Sequence, residues 1–149
     1  MDIEMRIFKG KSDDFASALA IRQRVFVEEQ KVPIEIEQDE FDSVATHVLL
    51  LADGVAVGTG RLFADPVQQN MAKLGRVALL PEYRGLHLGQ VIIAQLMEEI
   101  KKTGMFRKVS IHAQVSAVGL YGRFGFVRVG EEFLEAGIRH VEMVRDLTK

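Results

Sequence analysis

An arginine, a histidine and two glycines occur together in the segment Arg84-Gly85-Leu86-His87-Leu88-Gly89, just before a helical pattern of apolar residues. Glycine lets the backbone turn sharply and lets a ligand approach it closely. The first amides of a helix have no partner within the helix and lie at its positive end. The segment therefore predicts a site for phosphate or pyrophosphate, with Arg84 as a neighbouring cation. An ordinary strand-to-helix turn that contains glycines is the alternative interpretation.

The residues on either side of this turn predict a strand and a long helix. Val77 to Leu80 form a continuous apolar run, which is typical of a strand buried on both faces and ends at Pro81. From Leu88 onwards the apolar residues recur at helical spacing, and the pattern ends at Gly104. Arg107 to Ala113 reads as the next strand, so the three elements predict a βαβ unit with parallel strands.

The remaining elements predict a mixed sheet. They are a strand at Glu4–Phe8, a helix from Ser12 through Phe26, a hairpin of Thr46–Ala52 and Val55–Phe63, a short helix at Ser116–Arg123, and two last strands at Phe126–Val129 and Arg139–Asp146. The fold class expected is α/β or α+β, with a central sheet of about six to seven strands and helices on both faces. At 149 residues we expect a single domain that spans residues 1–149.

Composition excludes several classes of function. The net charge of −2 and the pI near 6.1 argue against a surface that coats nucleic acid. No apolar run approaches the roughly 18 residues of a membrane span, and the N-terminus has no signal-peptide core, so a cytoplasmic location is expected. The chain has no cysteine and its four histidines are dispersed, so we expect neither thiolate chemistry nor a metal site.

The segment from residue 34 to residue 42 carries five acidic side chains. Such a run is usually a solvated loop. However, the connection from Lys31 to Thr46 is long, and long connections tend to be functional or to contain a short helix. The second interpretation is that these acids attract a cationic acceptor such as an amine.

Two motifs in this order resemble the GNAT family, the GCN5-related N-acetyltransferases. The first is RVALLPEYRGLHLG (residues 76–89), which is similar to the acetyl-CoA motif in which an apolar strand leads to (Arg/Gln)-x-x-Gly-x-(Gly/Ala). The second is QVSAVGLYGRFGF (residues 114–126), similar to Asn-x-x-Ala-(Ile/Val)-x-Leu-Tyr-x-x-x-Gly-Phe. His87 replaces the usual middle glycine, and Gln114 replaces the usual asparagine. RQRVFVEEQKVP and EEFLEAGIRHVEM also resemble the bacterial ElaA-like branch.

The resemblance implies that acetyl-CoA donates an acetyl group to a primary amine by direct attack in a ternary complex. Backbone groups of the strand would hold the pantetheine arm, one of its amides would polarise the thioester carbonyl, and Tyr121 would protonate the departing thiolate. A core tyrosine is the alternative interpretation of Tyr121. The cofactor-binding residues implied are Val77, Ala78, Leu79, Arg84, Gly85, Leu86, His87, Leu88, Gly89, Gln90, Gln114 and Tyr121.

The general base and the acceptor stay open at this point. Candidates for the base are His112, Glu29 or Glu40 near the acceptor side, or a chain of waters, whereas His47 and His140 rank lower. A lone histidine on a buried strand is more often a satisfied core residue. The acceptor is expected to be a small molecule. A protein lysine or N-terminus as acceptor, and a non-catalytic acyl-CoA sensor, are the alternatives. An exposed last strand would favour a homodimer.

Overall fold

The computed structural model describes residues 1–148 and contains one seven-stranded sheet with the strand order β1-β2-β3-β4-β5-β7-β6. The strands are β1 (Ile3–Lys9), β2 (Thr46–Ala52), β3 (Val55–Ala64), β4 (Met71–Leu79), β5 (Lys108–Gln114), β6 (Val127–Glu135) and β7 (Ile138–Asp146). The helices are α1 (Phe15–Arg22), α2 (Ile34–Glu37), α3 (Leu88–Thr103) and α4 (Val118–Gly122). The mixed sheet of about six to seven strands predicted from the sequence is therefore confirmed.

Strands β4 and β5 are parallel, while every other neighbouring pair in the sheet is antiparallel. Helix α3 connects the two parallel strands, which confirms the predicted βαβ unit. Its C-terminus lies where the sequence predicts it, because Gly104 takes a left-handed conformation at φ 64°.

Helices cover both faces of the sheet, and alternation along β2 shows how the core divides. Val48 and Leu50 pack in the cluster that contains Ile92 and Leu96 of α3. Leu49 and Leu51 point to the other face and pack with α1. Because successive side chains of a strand alternate between faces, the unbroken apolar run of β2 supplies two cores at once.

The N-terminal helix differs from the prediction in its bounds and in one buried charge. The α-helix begins at Phe15 and continues beyond Arg22 as a π-helical segment over Gln23–Glu29. Arg22, which falls on the apolar stripe in the sequence, is 1% exposed and is bound by acids described below. None of the helices in the described residues is long and apolar enough to cross a membrane.

The C-terminal hairpin corrects one expectation and places the last strand inside the sheet. The segment around Gly130, expected as a connection, belongs to β6, which joins β7 through a two-residue turn at Ala136-Gly137. Both turn residues have positive φ, as a tight hairpin turn requires. The last strand, β7, lies between β5 and β6, so the condition under which the sequence would favour a homodimer through that strand is not met. The edge strand at this end of the sheet is β6, on which Val127 and Leu134 are exposed.

Candidate active site

Strands β4 and β5 separate part-way along their length, and this separation opens a cleft in the sheet. They pair only where Met71–Lys73 faces Lys108–Ser110. Beyond this point β4 stays paired with β3 as far as Leu79, and β5 stays paired with β7 as far as Gln114. The inner edge of β4 therefore carries backbone donors and acceptors that no strand uses on that side.

The register with β3 decides which backbone groups of β4 face this opening. Ala78 pairs with Thr59, and the amide of Leu80 donates to the carbonyl of Val57, so both residues hydrogen-bond towards β3. By alternation, the backbone groups of Leu79 and Val77 point towards the cleft. The sequence predicts Val77, Ala78 and Leu79 together as cofactor contacts. In the structure Ala78 is paired with β3 and its side chain packs in the α1 core, which leaves Val77 and Leu79 at the cleft.

A bulge lies in β4 beside the cleft. Thr59 and Arg61 of β3 pair with Ala78 and Gly75, so β4 contains one extra residue over this interval. Arg76 lies in the bulge with φ 50°. The bulge turns the Arg76 side chain towards the segment that contains α2, where Nε and Nη2 donate to the carbonyl oxygen of Glu37 at 3.1 and 3.0 Å.

The glycine turn leads directly into α3, as the sequence predicts. Gly85 has φ 82° and His87 has φ 62°, so both residues adopt the left-handed conformation that glycine tolerates best. The His87 side chain is exposed, and no side chain caps the helix start. Leu86 is half exposed, whereas Leu88 is buried in the core. A Cβ on Gly89 would lie 3.7 Å from the side chain of Leu120, so the helix start lies beside α4, and its unpartnered amides suit a phosphate group.

Arg84 is paired with Glu29, which the sequence analysis did not anticipate. The guanidinium Nη1 and Nη2 donate to the two carboxylate oxygens of Glu29 at 2.6 and 2.8 Å, and Nε donates to the carbonyl of Leu79 at 3.0 Å. Hydrogen bonding to Arg84 lowers the pKa of the Glu29 carboxyl and raises that of Arg84. The pair joins the π-helical segment to the glycine turn. Glu29 is thus next to the predicted pyrophosphate site and not among the residues of the cavity described next.

A cavity of about 500 Å³ opens beside β4 at the separation of the strands. It is bordered by residues from the predicted motifs and from the segment after α1. Its walls include Phe26, Gln30, Ile36, Phe41, Arg61, Phe63, Lys73, Arg76, Val77, His112, Gln114, Tyr121, Glu135 and His140. Glu40 is exposed and lies outside this lining set.

Tyr121 lies on α4 with its side chain 6% exposed and reaches the cavity wall. Its ring packs edge-on against Phe126, with 6.0 Å between ring centroids. Burial raises the pKa of the Tyr121 phenol above its usual value. The hydroxyl therefore keeps its proton at neutral pH, as a proton donor must.

His112 is exposed to the cavity, so its interpretation as a satisfied core histidine was wrong. The side chain is 40% exposed, and Nδ1 lies 2.9 Å from Oε1 of Glu135. A carboxylate accepts from a ring N–H, which leaves Nε2 with the lone pair when the imidazole is neutral. The hydrogen bond from His112 lowers the pKa of the Glu135 carboxyl.

His140 lies on the other side of Glu135, with Nε2 3.9 Å from the carboxylate. Its Nδ1 donates to the carbonyl of Ile138 at 2.7 Å. Glu135 is absent from the sequence-derived candidates because its segment reads as a connection. Ala136-Gly137 follows Glu135 and separates two runs in which polar and apolar residues alternate. This pattern predicts a hairpin and could have placed Glu135 beside the site.

Gln114 bridges the cleft to the segment that follows α1. Its Nε2 donates to Oε1 of Gln30 at 2.8 Å. The longer amide at position 114 thus reaches the π-helical end of the N-terminal helix. The two motifs of the sequence are in this way brought to opposite sides of one cavity, with Val77 on β4 and Gln114 on β5.

Three of the five acids in the acidic segment are paired with arginines, so the interpretation as a solvated loop is wrong for them. The segment contains the short helix α2, and its attraction of a cationic acceptor stays a prediction. Asp42 and Glu37 are buried and bind Arg22, with the shortest contacts at 2.7 Å each. Asp39 binds Arg61 through both oxygens at 2.6 and 2.7 Å. The arginines neutralise the acids and hold the segment on the sheet.

Asp42 is the centre of this network. Burial alone would raise its pKa, but hydrogen bonds and charge from Arg22 and Arg61 lower it to about 2. Its carbonyl also contacts Nε2 of His47 at 3.0 Å. Burial lowers the pKa of His47, which lies under the segment and away from the cavity lining.

Comparison with known proteins assigns the fold and the motifs to one family. A model of the acetyltransferase (GNAT) domain matches residues 12–147. The chain belongs to the GNAT acetyltransferase family. It is therefore an acyltransferase, and the GNAT resemblance of the two motifs is confirmed.

Relatives of this GNAT protein have similar length and the same fold. YjcF of Bacillus subtilis, described as an uncharacterized N-acetyltransferase, is 33% identical over 141 residues, covering 94% of this chain and 98% of the relative. The crystal structure of Escherichia coli ElaA superposes with a TM-score of 0.86 at 25% identity and covers 97% and 100% of the two chains. An acyl-CoA N-acyltransferase from Pseudomonas aeruginosa gives a TM-score of 0.83 at 30% identity, covering 97% and 99%. The predicted similarity to the ElaA-like branch is confirmed.

Proposed function

We propose that this GNAT protein transfers an acetyl group from acetyl-CoA to a primary amine, by direct attack of the amine within a ternary complex. The observation that carries the proposal is the shared position of three features. Val77 on the open edge of β4 and the buried Tyr121 line one cavity, and the uncapped start of α3 follows β4 in the chain and lies beside Leu120, on the helix that carries Tyr121. A small-molecule amine is the acceptor that we favour, since the cavity is concave and about 500 Å³ in volume.

The residues present fit the chemistry of coenzyme A. The backbone groups of Val77 and the amide of Leu79 would bind the pantetheine arm in the manner of an added strand, while the carbonyl of Leu79 accepts from Nε of Arg84. The amides from Gly85 to Gln90 would bind the pyrophosphate at the positive end of α3. The guanidinium of Arg84 is committed to Glu29 and its backbone amide donates to the carbonyl of Pro81, so we assign this role to the amides that follow Arg84.

The catalytic roles follow from the positions of two side chains. When bound, acetyl-CoA supplies an activated acetyl thioester. His112 would accept a proton from the acceptor ammonium through Nε2, with Glu135 fixing the ring orientation through Nδ1. The amide of Val77 would donate to the thioester carbonyl as an oxyanion donor. Tyr121 would give its proton to the thiolate that leaves.

Two measurements test this function. Acetyl-CoA at about 100 times its Kd should stabilise the protein by about 2.7 kcal/mol, whereas NAD and ATP should have no effect on the melting temperature. Release of free thiol should then depend on both acetyl-CoA and a primary amine. Stabilisation without thiol release from any amine, amino acid or lysine peptide would contradict the catalytic proposal and leave a cofactor-binding protein.

Three expectations from the sequence stay predictions. They are a single domain over residues 1–149, a cytoplasmic location, and a homodimer. The exposed apolar side chains of β6, rather than the last strand, are where we would look for a dimer contact.

A further inference from the structure

Two cations of β4 line the cavity, and neither is part of the proposed catalytic machinery. Within residues 1–148, no carboxylate lies within ion-pair distance of the Lys73 ammonium. Arg76 is 26% exposed and donates through Nε and Nη2 to backbone carbonyls of the α2 segment. These bonds do not use its Nη1.

The acids near Arg76 are already committed to other arginines. Asp39 contacts Arg76 at 3.4 Å but binds Arg61 through both oxygens at distances below 2.8 Å. Glu37 likewise lies 3.4 Å from Arg76 but 2.7 Å from Arg22. Burial, and then the neighbouring charge of Arg61, lower the pKa of Arg76. An incoming anion would therefore stabilise the Arg76 cation.

The backbone of Arg76 points to the same conclusion. Its φ of 50° lies in the left-handed region, which an arginine adopts at an energetic cost. The strained conformation occurs in the bulge and turns the long cationic side chain of Arg76 to the cavity wall. A glycine at this position would adopt the same backbone conformation without strain. Strain of this kind clusters at active sites and ligand clamps, and Arg76 is the strained residue that lines the cavity together with Ala136 of the hairpin turn.

The other walls of the cavity have different chemistry. One wall carries the carboxylate of Glu135, on the C-terminal hairpin, and the imidazole of His112, on β5. The charge of Arg76 contributes to the lowered pKa of Glu135. An apolar wall is formed by Phe41 and Phe63, whose rings stack with centroids 4.3 Å apart. Cationic, basic and apolar surfaces thus border one space.

We propose that the acceptor is an amino acid with an apolar side chain. Its carboxylate would lie against Lys73 and Arg76, its amine would face His112, and its side chain would pack on the Phe41–Phe63 wall. A simple amine would bring no carboxylate to Lys73, which has no ion-pair partner within residues 1–148, or to Arg76, whose neighbouring acids bind other arginines more closely, and this is unfavourable in a partly desolvated space. This inference rests on the proposed acetyl transfer.

The test compares acceptors that differ only in the carboxylate. Values of kcat/KM are measured by thiol release for phenylalanine, phenylalanine methyl ester and phenethylamine, each corrected for the fraction of free amine. The wild type should prefer phenylalanine over phenethylamine by at least about tenfold, which corresponds to about 1.4 kcal/mol. The same ratio is then measured for Lys73→Gln and Arg76→Gln. Lys9→Gln, on the far strand β1, is the matched control.

The expected result is that the preference ratio falls close to one in Lys73→Gln and in Arg76→Gln and is unchanged in Lys9→Gln. Lys73→Gln keeps the test valid if loss of Arg76 disturbs the α2 segment. Equal rates with the acid, the ester and the amine in the wild type would overturn the inference while the proposed function stands. Absence of thiol release with every acceptor would overturn both this inference and the proposed acetyl transfer. If acetyl-CoA still stabilised the protein in that case, only cofactor binding would remain.

Discussion

Replacing Asp42 by asparagine removes the central charge from the network that holds the acidic segment. Asp42 is fully buried and accepts from Arg22 at 2.7 and 3.1 Å and from Arg61 at 2.8 Å. Asparagine has nearly the same volume, but its amide nitrogen is a donor facing a guanidinium that also donates. Removing one partner of a buried ion pair costs about 3–5 kcal/mol, because the remaining charge is left uncompensated. We expect the free energy of unfolding of Asp42→Asn to fall by this amount at pH 7.

The pH dependence gives a second estimate of the same effect. The lowering of the Asp42 pKa from 3.8 to about 2 corresponds to about 2 kcal/mol. Because the folded-state pKa is depressed, this contribution is present above the unfolded-state value and is lost as the pH falls towards 2. The difference in stability between wild type and Asp42→Asn should therefore shrink by about 2 kcal/mol between pH 5 and pH 2.

Urea denaturation at several pH values measures this difference directly. Thermal unfolding should show a decrease in Tm of about 6–20 °C at pH 7. Asp13→Asn, at an exposed position before α1, is the control and should unfold like the wild type. If the Tm of Asp42→Asn lies within about 2 °C of the wild-type Tm, this network does not anchor the acidic segment.

Three further changes probe the cleft. Tyr121→Phe should lower kcat by about 100-fold or more with little change in the Kd of acetyl-CoA, and near-normal turnover at saturating acetyl-CoA would remove the acid role. Glu135→Gln and His112→Gln should each lower kcat by at least about tenfold. If the two residues act together, kcat of the double variant should be no lower than kcat of either single variant. Gly85→Val should weaken acetyl-CoA binding measured by calorimetry, because φ 82° is strained for valine and the strain falls on the predicted pyrophosphate site. Gly130→Val is the matched control, since Gly130 has φ 76° but lies on the edge strand outside the cavity lining, and it should leave binding unchanged.

The sequence predicts those parts of the fold that depend on local patterns. The apolar run before Pro81, the helical spacing from Leu88 and the glycine at 104 each report a local requirement of strand, helix or cap, and all three elements occur where expected. The hairpin of β2 and β3 is likewise predicted by the Asp53-Gly54 turn, since both residues have positive φ. The family motifs, in turn, predict which strand and helix border the cofactor cleft.

Features that depend on long-range pairing were not predictable in the same way. The acids of the 34–42 segment look solvated in the sequence because their partners, Arg22 and Arg61, are distant along the chain. Arg84 looks available for phosphate because its partner Glu29 is 55 residues away. The role of Glu135 beside His112 similarly depends on the order of β5, β7 and β6 in the sheet. Local periodicity carries no information on such contacts.

Hydrogen exchange of the protein with and without acetyl-CoA tests the central claim most directly. The account predicts that bound acetyl-CoA slows exchange at Val77, Leu79 and the amides of residues 85–90, because these groups would gain hydrogen-bond partners along β4 and at the start of α3. Protection should not extend to β1 on the far edge of the sheet. If acetyl-CoA binds and these amides exchange as fast as before, or if protection appears elsewhere, the cleft between β4 and β5 is not the cofactor site.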